Sequence, residues 1–209
     1  RICLVGSEMC IRDRPFFANR SLWHVILSGV FERFPGLQFV MTEQKTGWVP
    51  ETLKKMDGIW YAFNNGGVGE LRMDGNSLER SPSSYFDTNC TMGASFPSRD
   101  EAAAIKELGV GNVMWGSDYP HREGTYPDSV ASLRHVFHDW DPADLHELFG
   151  GTAAKLYGLD LEPMAALELG PTVDEIATPL TELPDNPSMA FGRRSVSYTH
   201  LRAHETDTD

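Results

Sequence analysis

Positive charge is scarce in this sequence: 18 Lys and Arg residues stand against 30 Asp and Glu, a formal net charge of −12 over 209 residues. Such a surplus repels phosphate backbones and anionic headgroups, which argues against nucleic acid or an anionic membrane as a partner. Long apolar runs are missing too, and none approaches the ~20 residues that a membrane span needs. The opening Arg1-Ile2-Cys3-Leu4-Val5-Gly6 has too short an apolar part to be a signal peptide. Cysteine is limited to Cys3, Cys10 and Cys90 with no CxxC spacing, so there is no disulfide framework. A reducing, cytoplasmic setting is the expectation, and no internal repeat is visible.

What is present suffices for a core. Hydrophobic content of 41% and aromatic content of 11% are ordinary for a globular protein. The length fits one domain with an appended tail.

The two termini are related to each other at the level of DNA. One permitted back-translation of Val196–Thr206 has a reverse complement that, read two bases on, encodes Leu4–Asp13. The same segment resembles a transposase-type sequencing adapter. Residues 1–14 and 196–209 are therefore expected to be translated adapter. On that expectation His200-x-x-x-His204 with Glu205, which has the i,i+4 spacing of a helical metal pair, loses its force. Cys3 and Cys10 go with it, leaving Cys90 as a small core residue.

Between the ends, helical and strand-like segments alternate. Leu22, Trp23, Val25, Ile26, Val30, Phe31 and Phe34 predict a helix over Ser21–Phe34, stopped by Pro35-Gly36. Leu37–Thr42 reads as a buried parallel strand that ends at Glu43. Val49 to Phe63 reads as a helix with Pro50 in its first turn. Asn64-Asn65-Gly66-Gly67-Val68-Gly69 is a plain loop, since it follows no strand and fits neither phosphate-binding fingerprint. Arg80–Ser83 reads as loop and Tyr85–Cys90 as a strand. Ser98-Arg99-Asp100-Glu101 is a capping box opening a helix Arg99–Leu108, with Gly109 as a left-handed stop. A strand over Asn112–Gly116 follows, then helices from Pro127 to Phe137, Ala143 to Phe149 and Ala153 to Tyr157. Residues 162–195, broken by five prolines, read as a short helix and an irregular arm on the outside of the domain. This alternation predicts an α/β fold with a parallel sheet.

Chemistry concentrates where strands end. Val113-Met114-Trp115-Gly116-Ser117-Asp118-Tyr119-Pro120-His121 delivers a carboxylate and an imidazole to one strand end, and Glu43 stands at another. In a parallel barrel all three would face the same mouth, the place where catalytic residues of such barrels sit. Carboxylate and imidazole suit zinc or another divalent transition metal, which would lower the pKa of a bound water. An aspartate there can both hold a metal and accept a proton. Spacing alone leaves other readings open: Asp118 as a turn former before Tyr119-Pro120, Glu43 as a rim carboxylate, His121 as a loop histidine. His24, His135, His138 and His146 fall on predicted helices and read as surface or packing residues.

Three stretches carry a family resemblance. Gly29 to Glu43 with Trp48-Val49-Pro50 resembles the sixth-strand region of the amidohydrolase-related proteins (amidohydrolase family 2, aminocarboxymuconate-semialdehyde decarboxylase-like). Trp115–His121 resembles that family's eighth-strand motif, and Gly151–Gly158 its closing helix. The match runs over roughly residues 15–185. It implies a TIM (β/α)8 barrel, of which residues 15–161 would supply about strands 6–8 with their helices. It also implies a metal-dependent hydrolase or non-oxidative decarboxylase of small carboxylated or cyclic substrates. Asp118 would then bind the metal and handle the catalytic proton, with His121 as a second catalytic residue and Glu43 as a further metal residue, a base or a substrate contact.

The sequence departs from the family at several points. Glu43 stands where decarboxylase-type members have a histidine, Lys45 where glycine is common, and Thr152 where asparagine is usual. The family's first-strand His-x-His and fifth-strand histidine have no counterpart, so the main metal ligands are expected outside this chain. The expectation is a C-terminal fragment, inactive by itself and exposing apolar strand edges, whose complete form acts on a small molecule and is compatible with a homo-oligomer. The competing reading is a non-catalytic interaction domain that has kept the barrel fold without its metal site.

Overall fold

A computed structural model describes residues 14–66, 78–121, 124–165, 170–182 and 184. Cys3, Cys10, Gly67–Gly69, His200, His204, Glu205 and most of the expected C-terminal arm lie outside these residues.

The sheet is small and entirely parallel, in the order β1-β2-β3: Phe39–Gln44, Cys90–Ser95 and Val113–Gly116. Helices precede and connect the strands: α1 (Arg14–Leu27), α2 (Val30–Arg33), α3 (Val49–Asn64), α4 (Pro82–Asn89) and α5 (Arg99–Leu108). After β3 come α6 (Ser129–Phe137), α7 (Pro142–His146), a π turn over Glu147–Gly151, α8 (Thr152–Tyr157), α9 (Glu162–Ala165) and α10 (Val173–Ile176). None of the described helices is long and apolar enough to cross a membrane.

Partners in a parallel ladder share a face, so the register assigns each strand residue a side. Met41, Met92 and Val113 pair in a row and are buried, as are Cys90 and Ala94 on the same side. With Ile105 of α5, Leu22 and Ile26 of α1, Met56 of α3 and Phe86 of α4 they belong to one hydrophobic core that extends to Val136 and Phe137 of α6 and Leu145 of α7. The other face carries smaller residues, with Thr91, Gly93 and Ser95 in β2 and Gly116 beside Met114 in β3. A Cβ on Gly93 would lie 3.1 Å from the Thr42 Cα, a close approach of the two backbones that a side chain would fit only if the neighbour gave way by a few tenths of an ångström.

Local physics explains where the elements stop, including where they depart from the pattern predicted above. The single helix expected over Ser21–Phe34 is two, because Gly29 takes φ 70° and turns the chain between α1 and α2. The strand expected at Tyr85–Cys90 begins only at Cys90. Extended Ser81 and Pro82 at the first helical position start α4 instead, and Tyr85 and Phe86 are both fully buried, which one face of a strand cannot do for neighbours. The Asn112 side chain then closes that helix, donating to Asp87 O (3.0 Å), Cys90 O (3.0 Å) and, at greater length, Phe86 O (3.4 Å).

Helix α5 occupies the expected span, capped by Ser98 and Glu101. Gly109 after it has positive φ but ψ 126°, so it ends the helix by reversing into extended backbone and not as a left-handed cap. Gly150-Gly151 do not separate two helices. They lie in the π turn that joins α7 to α8, where a Cβ on Gly151 would sit 2.6 Å from Glu147 Oε2. That carboxylate is held by Lys155 Nζ at 2.7 Å and Thr152 Oγ1 at 3.3 Å. Helix α10 carries a capping box, Thr172 with Glu175, and buries Ile176 against α6 and α7. Arg134 of α6 reaches the same segment, donating to Thr178 O and Pro179 O.

Candidate functional site

Three non-glycine residues among those described have positive φ, and each sits at the C-terminal end of a different strand. They are Glu43 (φ 54°) in β1, Phe96 (φ 34°) directly after β2 and Asp118 (φ 61°) two residues after β3. A left-handed backbone costs an L-residue roughly 1–2 kcal/mol, so it persists only where the surroundings hold it. In a parallel sheet these ends lie side by side, and the concentration of unfavourable backbone there marks them as the candidate site.

Asp118 and His121 meet. Asp118 Oδ1 lies 3.1 Å from His121 Nδ1, with the aspartate side chain 7% exposed and the histidine 52%. The loop that carries them closes on itself. His121 N–H donates to Asp118 O (2.8 Å), Gly124 N–H to His121 O (3.1 Å) and Thr125 N–H to Ser117 O (3.0 Å). The Ser117 hydroxyl accepts from Tyr119 N–H, and the buried Thr125 hydroxyl bonds that of Ser129 at the start of α6. Gly124 is required: a Cβ there would lie 2.6 Å from Ser117 O and 3.1 Å from both Asp118 O and His121 O. Tyr119, between the pair in sequence, and Tyr126 are exposed and packed edge to face at 5.3 Å between centroids.

Glu43 stands differently from its sequence expectation. It lies inside β1, not after it, exposed, where the pairing with β2 shifts register between Met41 and Gln44. β2 runs between β1 and β3, so their backbones are about 10 Å apart. Among the described residues no group of three His, Cys, Asp or Glu side chains is placed to hold a metal ion. The structure thus joins Asp118 with His121 and does not bring Glu43 into a three-donor cluster with them. The end of β1 and the loop after it contain buried polar atoms without partners among the described residues, namely Gln44 Oε1, Thr46 Oγ1 and Trp48 Nε1.

Other titratable groups read as structural. Burial pushes the Cys90 thiol up to about 12, which makes it inert as a nucleophile at neutral pH. His135 on α6 is held below its usual value by burial first, then by the charges of Arg99 and His138. His24 and His146 are exposed on α1 and α7. The sequence does not single out Phe96, and it shows Glu101 only as a helix cap. Phe96 is an isolated aromatic in a loop, and the only signal for Glu101 was its place in a capping box directly beyond a strand end.

Residues 18–159 match the family model described as amidohydrolase. Among solved structures, an amidohydrolase from Mycobacterium avium subsp. paratuberculosis K-10 superposes with a TM-score of 0.57 at 19% identity, covering 71% of this chain and 35% of that one. A dihydroxybenzoic acid decarboxylase from Polaromonas sp. JS666, solved with bound manganese and the inhibitor 2-nitroresorcinol, gives 0.52 at 18% identity, covering 74% of this chain and 47% of that one. At these identities the likeness concerns the fold, and the chain spans less than half the length of either structure. No curated protein matches the chain.

Proposed function

The chain belongs to the amidohydrolase family, and from that premise we propose that it carries one part of the active site of a metal-dependent hydrolase or decarboxylase acting on a small carboxylated or cyclic molecule. In this reading β1, β2 and β3 are the sixth to eighth strands of a (β/α)8 barrel, and the face that carries Thr91, Gly93 and Met114 looks into its interior. The observation that carries it is Asp118, a nearly buried carboxylate on a left-handed backbone at a strand end, in contact with an exposed imidazole.

Members of the family bind divalent metals. The described residues do not fit such a centre by themselves, because catalytic zinc takes three protein ligands and no group of three is present among them. Asp118 and Glu43 are this chain's share of a zinc site in our reading, and its remaining ligands lie outside the described residues. The step assigned to this chain is proton handling. A proton accepted at Asp118 Oδ1 passes to His121 Nδ1 across the 3.1 Å contact and leaves through the exposed ring. In hydrolysis the pair takes that proton from the attacking water. In decarboxylation it returns one to the carbon that has lost carbon dioxide.

The test uses the complete protein containing this segment, loaded with divalent metal and given small ring carboxylates labelled at the carboxyl carbon. Labelled carbon dioxide identifies a decarboxylase, and cleaved product with the label retained identifies a hydrolase. A second reading, compatible with the want of a three-donor group among the described residues, is a non-catalytic interaction domain on the same fold. Absence of both products from metal-loaded protein would count against the enzyme reading and favour this one.

A further inference from the structure

Glu101 makes one bond that a helix cap does not need. Its side chain is 12% exposed. Oε2 accepts from Ser98 N–H at 3.0 Å and from the Ser98 hydroxyl at 3.3 Å, which is the capping half of its work. Oε1 accepts the backbone N–H of Thr46 at 3.0 Å, in the loop that leaves β1. Thr46 is fully buried, so this N–H depends on that carboxylate.

The contacts continue from strand end to strand end. Lys45 Nζ lies 3.3 Å from Glu101 Oε2, donates to Ser95 O and Phe96 O at 3.3 Å each, and stands 4.3 Å from the Phe96 ring centroid. Phe96 N–H in turn donates to Gly116 O, the last residue of β3, at 2.9 Å. The left-handed backbone of Phe96 is therefore gripped on both sides, its N–H by β3 and its carbonyl by the β1 loop. Lys45 is half exposed, so its ion pair with Glu101 contributes little by itself. The buried bond to Thr46 is the firm link, since a charged acceptor strengthens it.

We propose that Glu101 is a positioning residue: through Thr46, Lys45 and Phe96 it sets where Glu43 and Asp118 stand relative to each other. This rests on the reading of those two carboxylates as site residues. Glu101→Gln leaves one oxygen where two serve, so the amide –NH₂ must face one of two backbone N–H donors. Ser98→Ala weakens only the helix cap, and Lys45→Met removes the ion pair with Glu101 and the bonds to Ser95 O and Phe96 O while leaving the Glu101–Thr46 bond in place.

The experiment is backbone NMR and amide exchange on the full 209-residue chain, its three variants compared with the parent. Glu101→Gln should raise exchange at Thr46 at least about tenfold and shift the amides of Glu43, Phe96, Gly116 and Asp118, with Met92 and Val113 still protected. Lys45→Met should reproduce the shifts at Phe96 and Gly116, and Ser98→Ala should not. Changes under Glu101→Gln confined to the first turn of α5, matching Ser98→Ala, would overturn the proposal. If Glu101→Gln unfolds the chain, unchanged Phe96 and Gly116 amides in Lys45→Met would overturn it equally. Turnover by the complete enzyme judges the proposed function separately, since none of these signals depends on it.

Discussion

Asp118 Oδ1 and His121 Nδ1 stand 3.1 Å apart with unequal access to water, the carboxylate almost enclosed and the imidazole half open. In the function proposed above, the inner group would meet a reacting atom and the outer group would exchange the proton with solvent. In the complete enzyme Asp118→Asn should lower kcat about 10²–10⁴-fold, the range of a lost general base. His121→Gln should cost less, because solvent can replace an exposed proton carrier, and added imidazole should restore part of the rate. Steady-state kinetics of both variants checks this, and equal losses without rescue would rule out the relay.

Gly124 should not accept even a methyl group. The added Cβ meets three backbone carbonyl oxygens, the nearest at 2.6 Å, and backbone cannot step aside as a flexible side chain would. Gly124→Ala is expected to destabilise by about 1–3 kcal/mol, as overpacking does, and to displace the Asp118–His121 contact. Urea denaturation gives the first number, and the His121 ring resonances report the second.

Asn112 holds together a junction that its neighbours cannot. Removing its side-chain amide leaves Cys90 O and Asp87 O each short of a donor. Asn112→Ala should cost about 1–3 kcal/mol, and Asn112→Asp at least as much, because a carboxylate would face those carbonyls. Urea midpoints for the two variants settle the order, and a neutral result for Asn112→Asp would contradict the donor assignment.

His135 makes stability depend on pH. Its folded pKa is below that of the free residue, so between the two the unfolded chain binds more protons and stability rises with pH. The penalty is absent above the ordinary histidine value of about 6.5 and grows as pH falls below it. Partial exposure keeps the effect small. Denaturation midpoints from pH 5 to 7.5 should be flatter in His135→Gln than in the parent.

Features written in local sequence could be read in advance. The apolar stripe and Pro50 locate α3, the Ser98–Glu101 capping box locates α5, and the apolar run before Ser117 locates β3. Tyr85–Cys90 misled because its aromatic residues suit a strand, while the deciding forces are tertiary, with Asn112 capping α4 from 22 to 26 positions away. The same contrast holds at the candidate site. Asp118 and His121 are three residues apart and show in the sequence, whereas Glu101 and Thr46 are separated by 55 positions and show only once the chain is folded. Left-handed φ at Glu43 and Phe96 has no signature in those residue types, which ordinarily avoid it, whereas aspartate, as at Asp118, adopts it more readily.

The placement of those three residues sets a conflict between durability and chemistry. Glycine would adopt each of the three backbone conformations without penalty, so mutation filtered only by yield or heat resistance would drift toward glycine at all three strand ends. A lineage freed from its substrate would be expected to lose this rim before it lost any of the core. Conversely, side chains retained at these three positions in variants of the protein would signal selection on what the rim does.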